Sequence, residues 1–453
     1  MAPSAKLLAR RAFSAVPLYR CLPPGPLRAH AGIRYLQQQE PPGAVALFSE
    51  RTGPAVARYP STAVIAARDA LRKGDDELVG RLLHFATDRY PDFGGMLEVE
   101  AEFLSFQGDY VGARAKARRA RLVEPASRRA AALDVRLSDA LGDPDTMQTA
   151  IKAVQRFRTG VGVLWAAARV CRTSEQFDLL LAAYAQVVPE PTQRLRGHRP
   201  LTTAALRAGR VDDAIALSVE AVESLLEGHG PTSAVGSTRL EGRDATRAVF
   251  DLCDTMDRAH VPFFFAAGSA LGLVREGRPL DADSDIDIGI FASDYRPDEL
   301  REVFRHDPRF DFLAVHPNSR KVKVVHRGGS PIDVFPFYEE RGLVWHDGNF
   351  VRWRNTPFEV GRIPVGDRRL PVPTDPDRYL TENYGNWRVP DPDFDAFTED
   401  APNVEVRWPE YLQVHRLRRA YRHLTARQHR AAAAQVRLAG HDDLAARIET
   451  VHG

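Results

Sequence analysis

Two aspartates set two residues apart in an apolar strand are the first residues in this chain whose spacing suggests chemistry. In Asp281-Ala282-Asp283-Ser284-Asp285-Ile286-Asp287-Ile288-Gly289-Ile290 an acidic loop runs into a strand pattern. Side chains alternate along a strand, so Asp285 and Asp287 share one face while Ile286, Ile288 and Ile290 share the other and can enter a core. Carboxylates about 7 Å apart along a strand repel each other unless a cation sits between them. Hard divalent cations, Mg²⁺ or Mn²⁺, take oxygen ligands and bind substrate phosphates at the same time.

A third carboxylate lies in Ser330-Pro331-Ile332-Asp333-Val334-Phe335-Pro336, again between apolar residues. The preceding Lys321-Val322-Lys323-Val324-Val325-His326 alternates like a strand, and Arg327-Gly328-Gly329-Ser330 supplies a turn. A β-hairpin there could bring Asp333 beside the Asp285/Asp287 strand. The elements needed to hold this group are also legible. Residues 245–259 read as an amphipathic helix with Val249, Leu252 and Met256 on one face. Val261 to Ala266 follows as a short apolar strand, and Gly268-Ser269 opens a short helix that reaches Arg275.

A Gly-Ser turn, an Asp-x-Asp strand and a lone Asp on a later strand together resemble the polymerase-β type of nucleotidyltransferase fold. Within that fold, Gly268-Ser269-Ala270-Leu271-Gly272-Leu273-Val274-Arg275 resembles the GxxLGxxR segment of the LicD/fukutin family. Asp283-Ser284-Asp285-Ile286-Asp287-Ile288 resembles its acidic box, and Ile332-Asp333-Val334-Phe335-Pro336 its "IDIFP" strand. Val372-Pro373, Tyr379-Leu380 and Tyr384-Gly385-Asn386-Trp387 resemble its closing segment, so the likeness spans roughly residues 245–392. Two departures are the missing aromatic before the acids and Ser284 where the family usually has another Asp.

The resemblance implies an enzyme that transfers a phospho-alcohol, such as phosphocholine or ribitol phosphate, from a CDP-linked donor to a glycan hydroxyl. It implies Asp285, Asp287 and Asp333 as catalytic residues and ligands of Mg²⁺ or Mn²⁺, with Asp333 also a candidate general base. Gly268 and Ser269 would bring backbone N–H groups to donor phosphates at a helix start. Arg275 could clamp a phosphate or make a surface salt bridge. Lys321 and Lys323 stand out in a chain with only six lysines; one could neutralise the leaving nucleotide, while a solvated strand face fits at least one of them. Tyr384 and Trp387 could pack beneath the site or stack on a base or acceptor, with packing the preferred reading, and His316, His326 and His346 lack metal-ligand spacing. Two other readings stay open: transfer of a nucleoside monophosphate from an NTP to a small molecule or protein, and a non-catalytic scaffold with a vestigial transferase domain.

Before this region the chain repeats. Gly74, Gly108 and Gly142 are 34 residues apart, with Gly209 close to two periods further. Gln107-Gly108-Asp109-Tyr110 is followed by Ala113, Ala120 and Pro125; the copy from Gly74 keeps Ala86 and Pro91, and that from Gly209 keeps Ala214 and Ala221. This resembles the tetratricopeptide repeat and suggests four to five helix pairs that would dock a protein partner. An ordinary helical bundle is the alternative. The expected fold is therefore α plus α/β: a basic tail over 1–59, a tetratricopeptide-like helical array over 60–230, a nucleotidyltransferase-fold mixed-sheet domain over 240–400, and a helical C-terminal cap over 401–453. Gly228 to Ser237 reads as a linker.

Composition narrows the rest. The 453 residues carry 62 Lys+Arg against 60 Asp+Glu, a net charge of +2 that gives no reason to expect nucleic-acid binding. The hydrophobic fraction of 44% supports a packed core, and no apolar run reaches the ~18 residues of a membrane span. Three scattered cysteines suggest a reducing compartment without structural disulfides. Arginine-rich, lysine-poor usage suggests a bacterial cytoplasmic protein, with at most peripheral contact at the inner membrane through its basic ends.

Overall fold

The computed structural model describes residues 60–157, 160–190, 195–228, 245–281, 283–315 and 320–450. The expected basic tail, and all but the first residue of the expected linker, lie outside the described residues. The chain divides into two compact units. One holds the described residues up to Leu137 with Arg327–Gly329, and the other holds Ser138–His326 and the chain from Ser330 onward.

Ten helices come in five successive pairs over the described residues from 60 to 228. They are α1 (Pro60–Lys73) with α2 (Asp76–Arg89), α3 (Gly94–Phe106) with α4 (Tyr110–Val123), and α5 (Arg128–Ala140) with α6 (Thr146–Arg156). Then follow α7 (Val161–Val170) with α8 (Ser174–Val187), and α9 (His198–Arg207) with α10 (Val211–Leu226). The glycine spacing marks the turn inside a pair. Gly74, Gly108, Gly142 and Gly209 all have φ between 65° and 79°, the left-handed region that ends helices because no Cβ clashes there. The residue after each glycine closes the same bond back into the first helix: Asp75 N to Ala70 O, Asp109 N to Leu104 O, Asp143 N to Ser138 O and Arg210 N to Ala205 O, at 2.9–3.0 Å. The α7/α8 pair has no glycine and uses the Thr173 side chain, which accepts from Gln176 N. Fully buried alanines such as Ala113, Ala117 and Ala120 let the helices approach closely.

The second unit also contains a mixed sheet. The chain runs α11 (Ala245–Arg258), β1 (Phe264–Phe265), α12 (Ala267–Glu276), β2 (Ile286–Phe291), α13 (Pro297–Arg305), β3 (Phe310–Val315), β4 (Val322–His326) and β5 (Pro331–Glu340). It continues through β6 (Leu343–Asp347), β7 (Val351–Asn355), a separate β8–β9 hairpin (Val360–Val365, Arg368–Pro373), α14 (Pro376–Tyr384) and β10 (Val404–Val406). The strand expected over 261–266 is shorter, because only Phe264 and Phe265 pair with β2. β5 organises the sheet: its first half lies between β2, which it pairs in parallel, and β4, which it pairs antiparallel, while its end pairs with β6. Ile286, Ile288 and Ile290 are fully buried with Ile332 and Val334, under Val249, Leu252 and Met256 of α11. One face of the sheet is thus sealed, and the other carries the aspartates.

The C-terminal helices α15 (Pro409–Thr425), α16 (His429–Leu438) and α17 (Asp442–Thr450) share a core with α10, where Leu417, Ala420 and Tyr421 meet Ala221 and Val222. The start of α15 also reaches the sheet, with Trp408 and Tyr411 packed near Phe350 and Trp353. None of the helices among the described residues is long and apolar enough to cross a membrane.

Gly289 in β2 has no room for a side chain: an added Cβ would lie 2.4 Å from Phe264 and 2.6 Å from Phe337. Gly289→Ala should therefore destabilise the protein by about 1–3 kcal/mol, read as a lower urea midpoint with an unchanged slope.

Candidate metal and phosphate site

The parallel pairing of β2 with β5 places Asp287 opposite Asp333 in register. Asp285 stands just before β2 on the same face as Asp287. One carboxylate oxygen from each of the three lies within 4.8 Å of the others. This all-oxygen set suits a hard divalent cation. Like charges this close disfavour joint ionisation. Burial, with the charges of Asp285, Asp283 and Asp333, pushes Asp287 well above the usual carboxylate range. Asp285 is raised by burial and by Asp333.

Asp333 differs because two lysines hold it. Burial alone would raise its carboxyl, but Lys321 and Lys323 hold it below the ordinary value. Lys323 lies opposite Asp333 on β4 and its Nζ is 3.1 Å from Oδ1, while Lys321 Nζ donates to Oδ2. Lys321 is buried, with its Nζ 4.8 Å from the Phe335 ring centre. Burial opposes its charge, but Asp333, Asp285 and Asp287 keep it protonated above the usual lysine range. Lys323 is the more exposed of the two, at 40% of its side chain against 11%.

The β1–α12 turn holds the other side. Ser269 Oγ accepts the Asp287 N–H at 2.8 Å, and Ala266 N donates to Asp287 O at 3.1 Å. Gly268 faces Asp283, where an added Cβ would lie 2.4 Å from the carboxylate. Ala267 sits at φ 44°, and its N–H donates to the buried Tyr379 hydroxyl at 3.2 Å. Arg275 lies in the last turn of α12, where it donates to the Trp387 carbonyl at 3.0 Å and contacts Glu276. The structure thus brings Asp285, Asp287, Asp333, Lys321 and Lys323 into one cluster and ties Ser269 to it. Arg275 instead fastens α12 to the closing segment.

Asp283, Tyr379 and Tyr384 are neighbours that the sequence reading did not place among the site residues. Burial and the charge of Asp285 push Asp283 up to about 7. Burial and the charge of Asp283 raise the Tyr384 hydroxyl well above its usual range. The period-two run Asp283, Asp285, Asp287 did carry a signal for the first. Trp387 is buried and donates to Asp377 at 3.1 Å, so it packs rather than presents its ring.

Comparison with known proteins identifies similar sequences over this region. Residues 260–375, from the approach to β1 to the start of α14, match the LicD/FKTN/FKRP nucleotidyltransferase-domain family model. The chain therefore carries a LicD-family domain built around the carboxylate centre. It is 26% identical over 176 residues to ribitol-5-phosphate transferase FKTN of Mus musculus, and 25% identical over 177 residues to the protein of that name from Homo sapiens. These matches cover 36% of this chain and 38% of each relative, so the aligned part spans well under half of either protein.

Aspartates in an unfolded chain titrate near 3.9, so between that pH and about 7 the raised Asp283 carboxyl binds more protons in the folded protein than in the unfolded one, and Asp285 and Asp287 are shifted in the same direction. Stability from these raised groups is complete below pH ~4 and is lost as pH rises through their folded values. The buried rings of His198 and His346, pushed down to about 4 and about 3, act in the opposite direction up to pH ~6.5. The comparison is therefore with an Asp283→Asn/Asp287→Asn variant: relative to it, the wild-type thermal midpoint in EDTA should fall from about pH 5 to 8. Mg²⁺ or Mn²⁺ should restore it strongly at pH 8 and weakly at pH 5, where protons compete for the ligands. A wild-type midpoint that does not fall relative to the variant over this range would contradict the electrostatic reading.

Proposed function

We propose that this protein is a metal-dependent phosphotransferase that moves a phospho-alcohol from a CDP-linked donor to a hydroxyl on a glycan-type acceptor. The single observation carrying the reading is the Asp285–Asp287–Asp333 cluster inside a domain of the LicD family. The relatives named ribitol-5-phosphate transferase support a polyol phosphate as the transferred group. Asp285, Asp287 and Asp333 would hold Mg²⁺ or Mn²⁺, which when bound supplies charge neutralisation at the donor phosphates.

The chain's own groups divide the remaining work. Lys321 and Lys323 are the cations beside the cluster, and their hydrogen bonds would pass from Asp333 to donor phosphate oxygens as the donor enters. Paired with both lysines Asp333 is a weak base, so this transfer is what would let it accept the proton of the acceptor hydroxyl. Gly268 and Ser269 would hold the donor phosphates against the start of α12, with Tyr379 keeping the Ala267 turn in place. Arg275 would act on the donor only by leaving the Trp387 carbonyl.

Within the same reading, residues 240–400 form the catalytic, nucleotidyltransferase-fold domain and residues 401–453 its helical cap. The tetratricopeptide-like array over 60–230 docks a protein partner. The protein works in a bacterial cytoplasm, at most peripherally at the inner membrane.

The test is binding of CDP, CTP, ATP and UDP with and without Mg²⁺, for wild type and Asp285→Ala. Metal-dependent preference for CDP, reduced about tenfold or more in the variant, is expected from loss of one ligand carboxylate. A preference for NTPs would indicate nucleotidyl transfer instead, and no metal-dependent binding would overturn the catalytic reading.

A further inference from the structure

Away from the carboxylate centre, the contact of α9 with α15 gathers more positive charge than the nearby acids balance: Asp395, the acid that acts on Arg422, is itself paired with His415 and Arg419. Arg199 lies in the first turn of α9 with Thr203 one turn on, and Arg418 and Arg422 stand one turn apart on α15. The crossing is fastened at two points. Arg418 Nη2 donates to Thr203 Oγ1 at 3.1 Å, and the His198 ring lies over Tyr421 with centroids 4.2 Å apart. Arg418 Nε is buried without a hydrogen-bond partner.

Among the described residues, none of these three arginines forms an ion pair. The nearby acids are already engaged: Asp395 by His415 at 2.7 Å and Arg419 at 2.6 Å, and Glu399 by Arg416 at 3.0 Å. Burial and the charge of Arg199 push Arg418 down to about 10. Since a guanidinium does not give up its proton in a protein, this depression registers first the cost of burying the charge and then the repulsion from Arg199. Arg199 adds to it by sitting at the positive end of the α9 dipole, where an anion is favoured and a cation is not.

We propose that the α9/α15 crossing is a binding site for a phosphate-type oxyanion, held by Arg199, Arg418 and Arg422 with the Thr203 hydroxyl. Guanidinium groups offer paired N–H donors that match phosphate oxygens, and the free Arg418 Nε supplies a donor already turned away from any protein acceptor. A dianion would also cancel most of the local excess charge. Free phosphate, a phosphate ester and a lipid headgroup share this chemistry.

The full chain is tested in EDTA, with inorganic phosphate against chloride at equal ionic strength, by calorimetry and thermal melting. Wild type should show saturable stabilisation by phosphate. Arg418→Met, which keeps the apolar stem, and Arg199→Gln should each weaken that affinity about tenfold or more, as expected for loss of a charge-assisted hydrogen bond. Phosphate held by Lys321 and Lys323 would survive in both variants, so the lost part reports this crossing alone. Arg418→Met should also melt above wild type in chloride, because it removes an unbalanced, half-buried charge. Flotation with phosphatidylglycerol but not phosphatidylcholine vesicles, lost in both variants, would identify a headgroup as the source; phosphate binding without flotation would identify a soluble phosphate. Phosphate stabilisation no greater than that of chloride, or equal in wild type and both variants, would overturn the proposal.

Discussion

Mutual repulsion among carboxylates on one face of a parallel strand pair is the constraint around which the sheet is organised. Asp287 faces Asp333 across the β2/β5 pairing and Asp285 adds a third charge, all backed by a sealed hydrophobic layer. Such an arrangement is unfavourable without a countercharge. Two answers are available in the chain. Lys321 and Lys323 neutralise Asp333, while burial and mutual repulsion shift Asp285 and Asp287 upward, which favours a proton or a cation beside them. The site is thus built for positive charge before any substrate arrives.

Its surroundings keep that geometry from relaxing. Ser269 ties the Asp287 backbone to α12, and Tyr379 ties the turn before α12 to α14. The cost of holding Ala267 at positive φ is of order 1–2 kcal/mol, and the Tyr379 hydroxyl is one of the contacts that offsets it. Gly289 allows Phe264 and Phe337 to close over the strand that bears the acids. The C-terminal helices belong to the same unit and share a core with α10, so the sheet is followed by a return to helical packing rather than by a loose tail.

Much of this was legible because the relevant periods are short. Alternation identified the shared face of Asp285 and Asp287, and the turn at Arg327–Ser330 implied the hairpin that pairs Lys323 with Asp333. The 34-residue glycine spacing marked a left-handed turn that closes four of the five helix pairs. What escaped the sequence depends on partners far apart in the chain. The Tyr379 hydroxyl meets Ala267 across 112 residues, and Arg275 meets the Trp387 carbonyl across the same separation. Nor could spacing tell which lysine is buried, since Lys321 precedes β4 and is drawn inward by the Phe335 ring and its bond to Asp333. The arginines at the α9/α15 crossing likewise come from helices more than two hundred residues apart.

Asp285, Asp287 and Asp333 are proposed to hold one divalent cation. The most direct test is diffraction at the manganese edge from crystals of the full chain grown with Mn²⁺ and CDP. An anomalous peak is expected about 2.0–2.3 Å from carboxylate oxygens of Asp285, Asp287 and Asp333, absent in Asp287→Asn crystals grown the same way. No peak at this cluster, or an unchanged peak in the variant, would contradict it.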